Sequence, residues 1–470
     1  MRRTKIICTM GPACNNEEML RAMCLAGMNV ARLNFSHGDH ETHKKTIDLI
    51  KKVREELGLP IAIMLDTKGP EYRIGTFESG KITLNDGDSF TFTTDDIVGD
   101  ATRVSVSYKH LTEEMNPGDI ILVNNGLVEF EVTEIDGSDI KCKVISGGDL
   151  SDRKSMAFPD KVLKQTFLSE QDKSDILFGI ENDIDYIAAS FVSNKENIMD
   201  IKRFLKENGG EDIDVVAKIE NRAGVDNISE ICASCEGIMV ARGDLGVEIP
   251  YEKLPAIQKR LITTCRMKGR RVITATEMLE SMITNLRPTR AEISDVANAV
   301  YDGTSAVMLS GETAIGKHPD EVVRTMDAIC KETEQNIKYN SKFFKTDFEI
   351  KNNIDAVSHA ACSMALTIGA KAITVCSMSG RSARMVSRFR PDIDIIGLTT
   401  SVKAWRKLAL SWGVIPALCE EFNSVEVMFY AAAKTTAQLL NLEKGDKVIV
   451  VGGTVSGKTG STNSIRLETI

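Results

Sequence analysis

Eight short β-branched runs, each ending abruptly in polar or glycine residues, constrain this chain more than any other feature. They are Lys5–Cys8, Asn29–Leu33, Ile61–Leu65, Tyr186–Ser190, Val215–Ile219, Gly237–Val240, Val272–Thr274 and Ala306–Leu309. Several are apolar on both faces, as strands of a parallel sheet covered on both sides must be. Helical periodicity follows most of them, with sensible punctuation. Pro288-Thr289-Arg290 opens one such segment and Asp302-Gly303 closes it. Eight strand–helix units predict a (β/α)8 TIM barrel.

The barrel does not account for the whole chain, since 470 residues exceed what one hydrophobic core organises. Between the third and fourth runs, segments such as KITLNDGDSFTFTT read as short strands with Asn/Asp-Gly turns. This predicts an all-β lid domain at 71–166, inserted in a βα loop of a barrel formed by 1–70 and 167–340. Further on, Ala372–Cys376, Ile393–Thr399 and Lys447–Gly452 alternate with helical segments. They predict a C-terminal open α/β domain at 341–470. The fold class is α/β throughout.

Composition narrows the function. A net charge of −9 argues against a nucleic acid or an acidic membrane as partner. No apolar run is long enough for a membrane span, and the N-terminus shows no secretory leader. Eleven cysteines, an odd number, suit reduced thiols in a cytoplasm rather than a disulfide framework. The lone close pair, Cys232 and Cys235, has no partner motif at zinc-site spacing.

The strand ends carry the chemistry in a barrel of this kind. Arg32, Asn34 and Ser36 alternate along the second run and so share a face. Asp66 and Thr67 end the third. Asn34, Ser36, Asp66 and the Thr67 carbonyl form an all-oxygen group with one carboxylate, which suits a monovalent cation. Lys218 and Glu220 share a face on the fifth run, and Gly243-Asp244 follow the sixth. Glu220 and Asp244 together can hold one divalent cation. Thr276 and Ser310 add hydroxyls from the last two strand ends. Lysine and arginine beside a divalent ion fit an anionic substrate whose charge shifts, as in phosphoryl transfer or enolate formation. Any one of these motifs alone is more often a surface salt bridge or a turn; their joint placement at consecutive strand ends is not.

These residues lie in stretches that resemble the pyruvate kinase family, in its bacterial form and along the whole chain. The stretches include NVARLNFSHG (29–38), MLDTKGPEYRIG (64–75), DVVAKIENRAGV (214–225), MVARGDLGVEIP (239–250), RVITATEMLESM (271–282) and AVMLSGETA (306–314). The resemblance implies transfer of a phosphoryl group from phosphoenolpyruvate to ADP, giving pyruvate and ATP. It implies that Lys218 stabilises the transferring phosphoryl and the enolate, and that Arg32 holds the phosphoryl group. Gly243, Asp244 and Thr276 would hold the substrate carboxylate, and Ser310 would join the proton path. Mg2+ or Mn2+ would sit on Glu220 and Asp244. K+ would sit on Asn34, Ser36, Asp66 and Thr67. Asn34, His37, Arg73 and Lys154 would serve the nucleotide. Glu71 matches the potassium-dependent members. The family is usually a homotetramer. Ser155-Met156-Ala157-Phe158-Pro159 departs from the family's pattern after Lys154, as do Glu277 and Ser305.

Three other motifs need placing. Gly452–Thr459 fits a phosphate-binding P-loop pattern, but a P-loop NTPase needs a helix there and a later strand, and the chain ends instead. Ser377, Ser379, Gly380, Arg381 and Ser382 form a turn into a helix, which is either a plain strand–helix turn or, as the resemblance to allosteric members implies, a cradle for a sugar-phosphate effector with the terminal glycine loop closing over it. His37, His40 and His43 are spaced so that all three cannot readily meet on one metal. The rival readings are another phosphoenolpyruvate or pyruvate barrel enzyme, such as a metal-dependent aldolase, and a non-catalytic regulatory protein on this fold.

Overall fold

The computed structural model describes every residue except 160, 162, 165, 423 and 454–461. Eight parallel strands close into a barrel: β1 (Lys5–Thr9), β2 (Val30–Asn34), β3 (Ala62–Asp66), β4 (Tyr186–Ala189), β5 (Asp214–Ile219), β6 (Gly237–Ala241), β7 (Arg271–Ala275) and β8 (Ala306–Leu309). Each strand pairs with its neighbour in the chain, and β1 meets β8 in the register Lys5↔Ala306. All eight runs read from the sequence are strands, displaced by a residue or two at most.

Side-chain alternation explains why the runs are apolar throughout. Val30, Met64, Ala188, Val216, Met239 and Ile273 fill the barrel interior. Leu33, Ile63, Ile187, Val215, Ile238 and Val272 pack under the surrounding helices. Each fully buried aliphatic side chain contributes about 1.5–3 kcal/mol. The helix Arg290–Asp302 shows the local rules at work. Thr289 and Glu292 form a reciprocal capping box, and Gly303 ends the helix at φ 96°.

Between β3 and β4 the chain builds a seven-stranded sheet and a two-stranded one, with one four-residue helix among the described residues, Leu111–Glu114. Phe90, Phe92 and Phe130 centre its own core. The hairpin Val128–Asp136 with Asp139–Ser146 turns through Gly137 at φ 63°, as an Asp-Gly turn requires.

The C-terminal sheet contains β9 (Ala372–Cys376), β10 (Asp394–Thr399), β11 (Val414–Leu418), β12 (Lys447–Gly453) and β13 (Thr462–Thr469), in the order β11-β10-β9-β12-β13. Two of these were not evident in the sequence. β11 is an edge strand containing Pro416, and proline weakens a strand reading. β13 is polar and runs antiparallel to β12 on the other edge. Its presence opposes the P-loop NTPase reading, since strand Thr462–Thr469 stands downstream where a helix is needed. Residues 454–459 of that motif, and with them the loop expected to close over the effector cradle, lie outside the described residues.

The C-terminal unit also closes the barrel floor. Leu410 belongs to the barrel-interior cluster. Lys5 Nζ donates to the Val414 carbonyl at 2.8 Å, and Arg406 Nε to Asp185 at 2.7 Å. The Tyr186 hydroxyl donates to the Lys407 carbonyl.

Cys232 and Cys265 lie side by side, with Cα atoms 6.1 Å apart. Helix Ile228–Ser234 lies beside helix Leu254–Met267, which brings the two together while Cys235 turns to the Gly237 carbonyl. Among the described residues, no helix is long and apolar enough to cross a membrane.

Candidate active site

The inward face of β2, β3, β4 and β5 ends in a buried charged network. Asp66 is its centre, 1 % exposed. One oxygen accepts from Arg32 Nε at 2.6 Å and the other from Lys218 Nζ at 3.0 Å. Lys218 Nζ also donates to Ser190 Oγ at 2.8 Å and meets Glu220 Oε1 at 2.9 Å. The second Glu220 oxygen accepts from the Phe191 amide at 2.6 Å. Arg32 Nη1 reaches Thr9 Oγ1 at 2.9 Å. These contacts follow from the strand alternation: 62, 64 and 66 point inward on β3, as do 216, 218 and 220 on β5.

The electrostatics have a consistent sign. Burial disfavours charge on Lys218, but Asp66 and Glu220 outweigh it and hold the ammonium above its usual range. Burial likewise opposes ionisation of Asp66, and Arg32 and Lys218 overcome it, so the carboxyl lies below its usual range. Glu220 differs. Burial pushes it up, to about 7; Lys218 pulls it down, and Asp244 adds a further upward push. A buried carboxylate that resists ionising beside a second carboxylate calls for a cation.

A second assembly spans β6, β7 and β8. Thr276 and Glu277 follow β7 with φ of 67° and 52°, a left-handed pair unfavourable to side chains with Cβ atoms. Arg242 holds that turn, its guanidinium donating to the carbonyls of Ala275, Thr276 and Glu277 while it pairs with Asp295 at 2.6 Å. The Gly243 amide donates to Thr276 Oγ1 at 2.9 Å, and that hydroxyl donates to the Ala275 carbonyl. Glu312 ties the next loop in, accepting from the Leu279 and Ser310 amides at 3.0 and 2.6 Å. The Ser310 hydroxyl is buried without a hydrogen-bond partner among the described residues.

A cleft of about 610 Å3 opens between the barrel mouth and the inserted β unit. Glu220, Asp244 and Asn221 line it from the barrel; Arg73, Lys154 and Lys161 line it from the β unit. Arg73 pairs with Glu71 at 2.6 Å and donates to the Arg153 carbonyl.

The residues named from the sequence are therefore largely gathered. Arg32, Asp66, Lys218 and Glu220 touch or share partners, and Asp244, Arg73 and Lys154 face one cleft. Asn34 stands beside Asp66 in register, and the Thr67 carbonyl accepts from Ser190 Oγ at 2.6 Å. Ser36 and His37 are exposed on the following loop. The His37 carbonyl takes His43 Nε2, while His40 pairs with Asp175, so the three histidines do not converge. Within the C-terminal cradle, Gly380 adopts φ 72°, and Ser379 and Arg381 are exposed with Ser377 half-buried. Ser382 is buried with its hydroxyl on Thr462, which occupies the group expected to meet an effector. Sequence reasoning passed over Ser190, Thr9, Arg242 and Glu312. The strand-end positions of Ser190 and Thr9 were the available signal; Arg242 and Glu312 act through backbone carbonyls or amides that no motif displays.

Cations buried at barrel strand ends, opposite a carboxylate pair and under a cationic β unit, define a (β/α)8-barrel enzyme for an anionic substrate. Residues 1–323 match the family described as "Pyruvate kinase, barrel domain" and residues 355–468 "Pyruvate kinase, alpha/beta domain". The chain belongs to the pyruvate kinase family, a family of phosphotransferases. It is 45 % identical over 474 residues to a pyruvate kinase of Clostridium perfringens, covering 100 % of both chains. It is also 45 % identical over 473 residues to that of Clostridium acetobutylicum, again covering 100 % of both. A solved pyruvate kinase from Cryptosporidium parvum superimposes with a TM-score of 0.94 at 38 % identity, over 100 % of this chain and 96 % of that one.

Proposed function

We propose that this chain moves the phosphoryl group of phosphoenolpyruvate onto ADP, the last step of glycolysis. The bond between phosphorus and the enol oxygen breaks, a terminal ADP oxygen bonds to phosphorus, and the enolate takes a proton at carbon to become pyruvate. The observation that carries the reading is Lys218, an ammonium held protonated and fixed by Asp66, Ser190 and Glu220 at the mouth of the barrel. An ammonium above its usual range acts as a fixed charge, not as a base. It meets the negative charge that develops on the phosphoryl and enolate oxygens, which is most of what such a reaction asks of a protein. Arg32 adds a second buried cation. The Thr276 hydroxyl and the backbone at Gly243 and Asp244 orient the substrate carboxylate. The unpartnered Ser310 hydroxyl serves the proton path to carbon.

Glu220 and Asp244 fit a divalent ion, Mg2+ or Mn2+, because both are oxygen donors on the cleft, and burial, with Asp244 beside it, disfavours a bare charge on Glu220. When bound, the ion neutralises phosphoryl oxygens. Asn34, Ser36, Asp66 and the Thr67 carbonyl fit K+, being all oxygen with a single carboxylate. Arg73 and Lys154, with Asn34 and His37, receive the nucleotide from the lid at 71–166. The unit at 341–470 takes a sugar-phosphate effector at 377–382, supported by the exposed Ser379 and Arg381 beside the left-handed Gly380. The enzyme works as a cytoplasmic homotetramer.

The test is pyruvate formation from phosphoenolpyruvate and ADP, followed by coupling to lactate dehydrogenase with Mg2+ and K+ present. Lys218→Met is expected to lower kcat by at least about 10²–10³-fold with an unchanged circular-dichroism spectrum. An unaltered rate would remove Lys218 from the mechanism. Replacing K+ by tetramethylammonium at equal ionic strength is expected to abolish most of the rate; equal rates in the two would eliminate the potassium site. Fructose 1,6-bisphosphate is expected to lower the half-saturating phosphoenolpyruvate concentration.

A further inference from the structure

The seam between the barrel and the C-terminal unit holds an unusual concentration of positive charge. Five buried guanidinium Nε atoms have no hydrogen-bond partner among the described residues: those of Arg266, Arg270, Arg384, Arg388 and Arg390. All five residues line one cavity, and Arg271 is the sixth arginine there. Its other lining residues are Gly269, three serines and Trp412, and none is acidic.

The available carboxylates do not balance this cluster. Asp214 is shared by Arg271 at 2.7 Å, Lys407 at 2.8 Å and Arg384 at 3.8 Å. Arg388 takes Asp355 at 3.3 Å. Arg266, Arg270 and Arg390 form no salt bridge among the described residues. Arg390 is instead held by neutral groups, the Gly303 carbonyl at 3.1 Å and Ser305 Oγ at 3.0 Å, with its guanidinium 4.6 Å from the Trp412 ring centre.

Burial of such groups without anionic partners is costly. Burial, with Arg266 beside it, pushes Arg390 down to about 9; burial, with Arg271 and Arg270, pushes Arg384 down to about 10. Arginine does not release its proton in a protein. The same unfavourable energy is relieved by bringing in a counter-charge. The cavity volume is about 10 Å3, roughly the room one water-sized group needs.

We infer that this cavity is a binding site for a small inorganic anion of halide size, held by arginines from both units. Arg266, Arg270 and Arg271 come from the end of helix Leu254–Met267 and the start of β7, whereas Arg384, Arg388 and Arg390 come from helix Arg381–Ser387 and the chain after it. An anion there is a counterion that fastens the two units together. It is distinct from the cleft at the barrel mouth, because the cavity lies at the opposite, N-terminal end of β7. It owes nothing to the proposed reaction.

The test uses the full chain. Crystals grown with bromide in place of chloride are measured at the bromine absorption edge. An anomalous peak in this cavity, contacting guanidinium groups from both units, is the expected result. In parallel, thermal unfolding is followed as chloride replaces gluconate at constant ionic strength. A saturable rise in the midpoint is expected for the native chain. In Arg266→Gln, whose native side chain makes no hydrogen bond among the described residues, the rise is expected to be lost. A cavity containing only water overturns the site. A peak without any difference in chloride dependence between the native chain and Arg266→Gln overturns its role as a fastener.

Discussion

Arg242 shows how much a single side chain outside the reaction centre determines. Its guanidinium spans three successive carbonyls across a left-handed turn, and Thr276 depends on that turn for its place beside Gly243. Replacing it by methionine keeps much of the buried volume but frees the turn to relax toward ordinary φ values. We expect kcat/KM for phosphoenolpyruvate to fall about 10²-fold, the scale of a displacement near 1 Å, in steady-state assays on folded protein. A change below threefold would show that the turn holds itself. Arg242 was in plain view in the sequence as part of Arg-Gly-Asp, yet its work was not, because the carbonyls it binds belong to another strand end. Lys218, Glu220, Arg32 and Asp66 were legible for the opposite reason. Their places at strand ends, with Lys218 and Glu220 two apart on one strand, are themselves the geometry.

Elements were legible where their pattern was buried on both sides. All eight barrel runs appeared, since an apolar strand with abrupt ends has few alternative readings. β11 and β13 did not, being edge strands, one broken by Pro416 and one polar. The closeness of Cys232 to Cys265 was hidden because adjacency of two helices is a tertiary fact that cysteine spacing does not encode. The inserted β unit was legible from its turns, and one side of it lines the cleft. Arg73 and Lys154 stand on it, away from the buried network of Lys218. Arg73→Ala and Lys154→Ala are each expected to raise the KM for ADP about tenfold, the loss of roughly one charge-assisted hydrogen bond, while leaving that for phosphoenolpyruvate within twofold. Equal effects on both substrates would mean that the lid closes on the reaction as a whole and does not select the nucleotide.

At the scale of the whole molecule, the barrel and the C-terminal unit are joined by ion pairs that titrate. Burial would raise the Asp214 carboxyl, but Arg271, Lys407 and Arg384 outweigh it and hold it well below the usual carboxylate range. A depressed carboxylate adds stability above its unfolded pKa of about 3.9, and that stability drains away as pH falls toward the folded value. Asp214→Asn should therefore lower the unfolding midpoint most at pH 6–7, and the gap from the native chain should narrow below about pH 4. A gap constant across that range in calorimetric scans would mean that Asp214 contributes shape and not charge. Leu410 extends the same connection into the barrel itself, since the floor of the barrel is filled from a segment made long after β8. During synthesis, then, the barrel leaves the ribosome with all its strands yet with an open base. It waits about 100 residues, or some 5–20 s at ordinary elongation rates, before the chain that stoppers it emerges. The floor of the barrel is therefore filled only once residues of the C-terminal unit have been made.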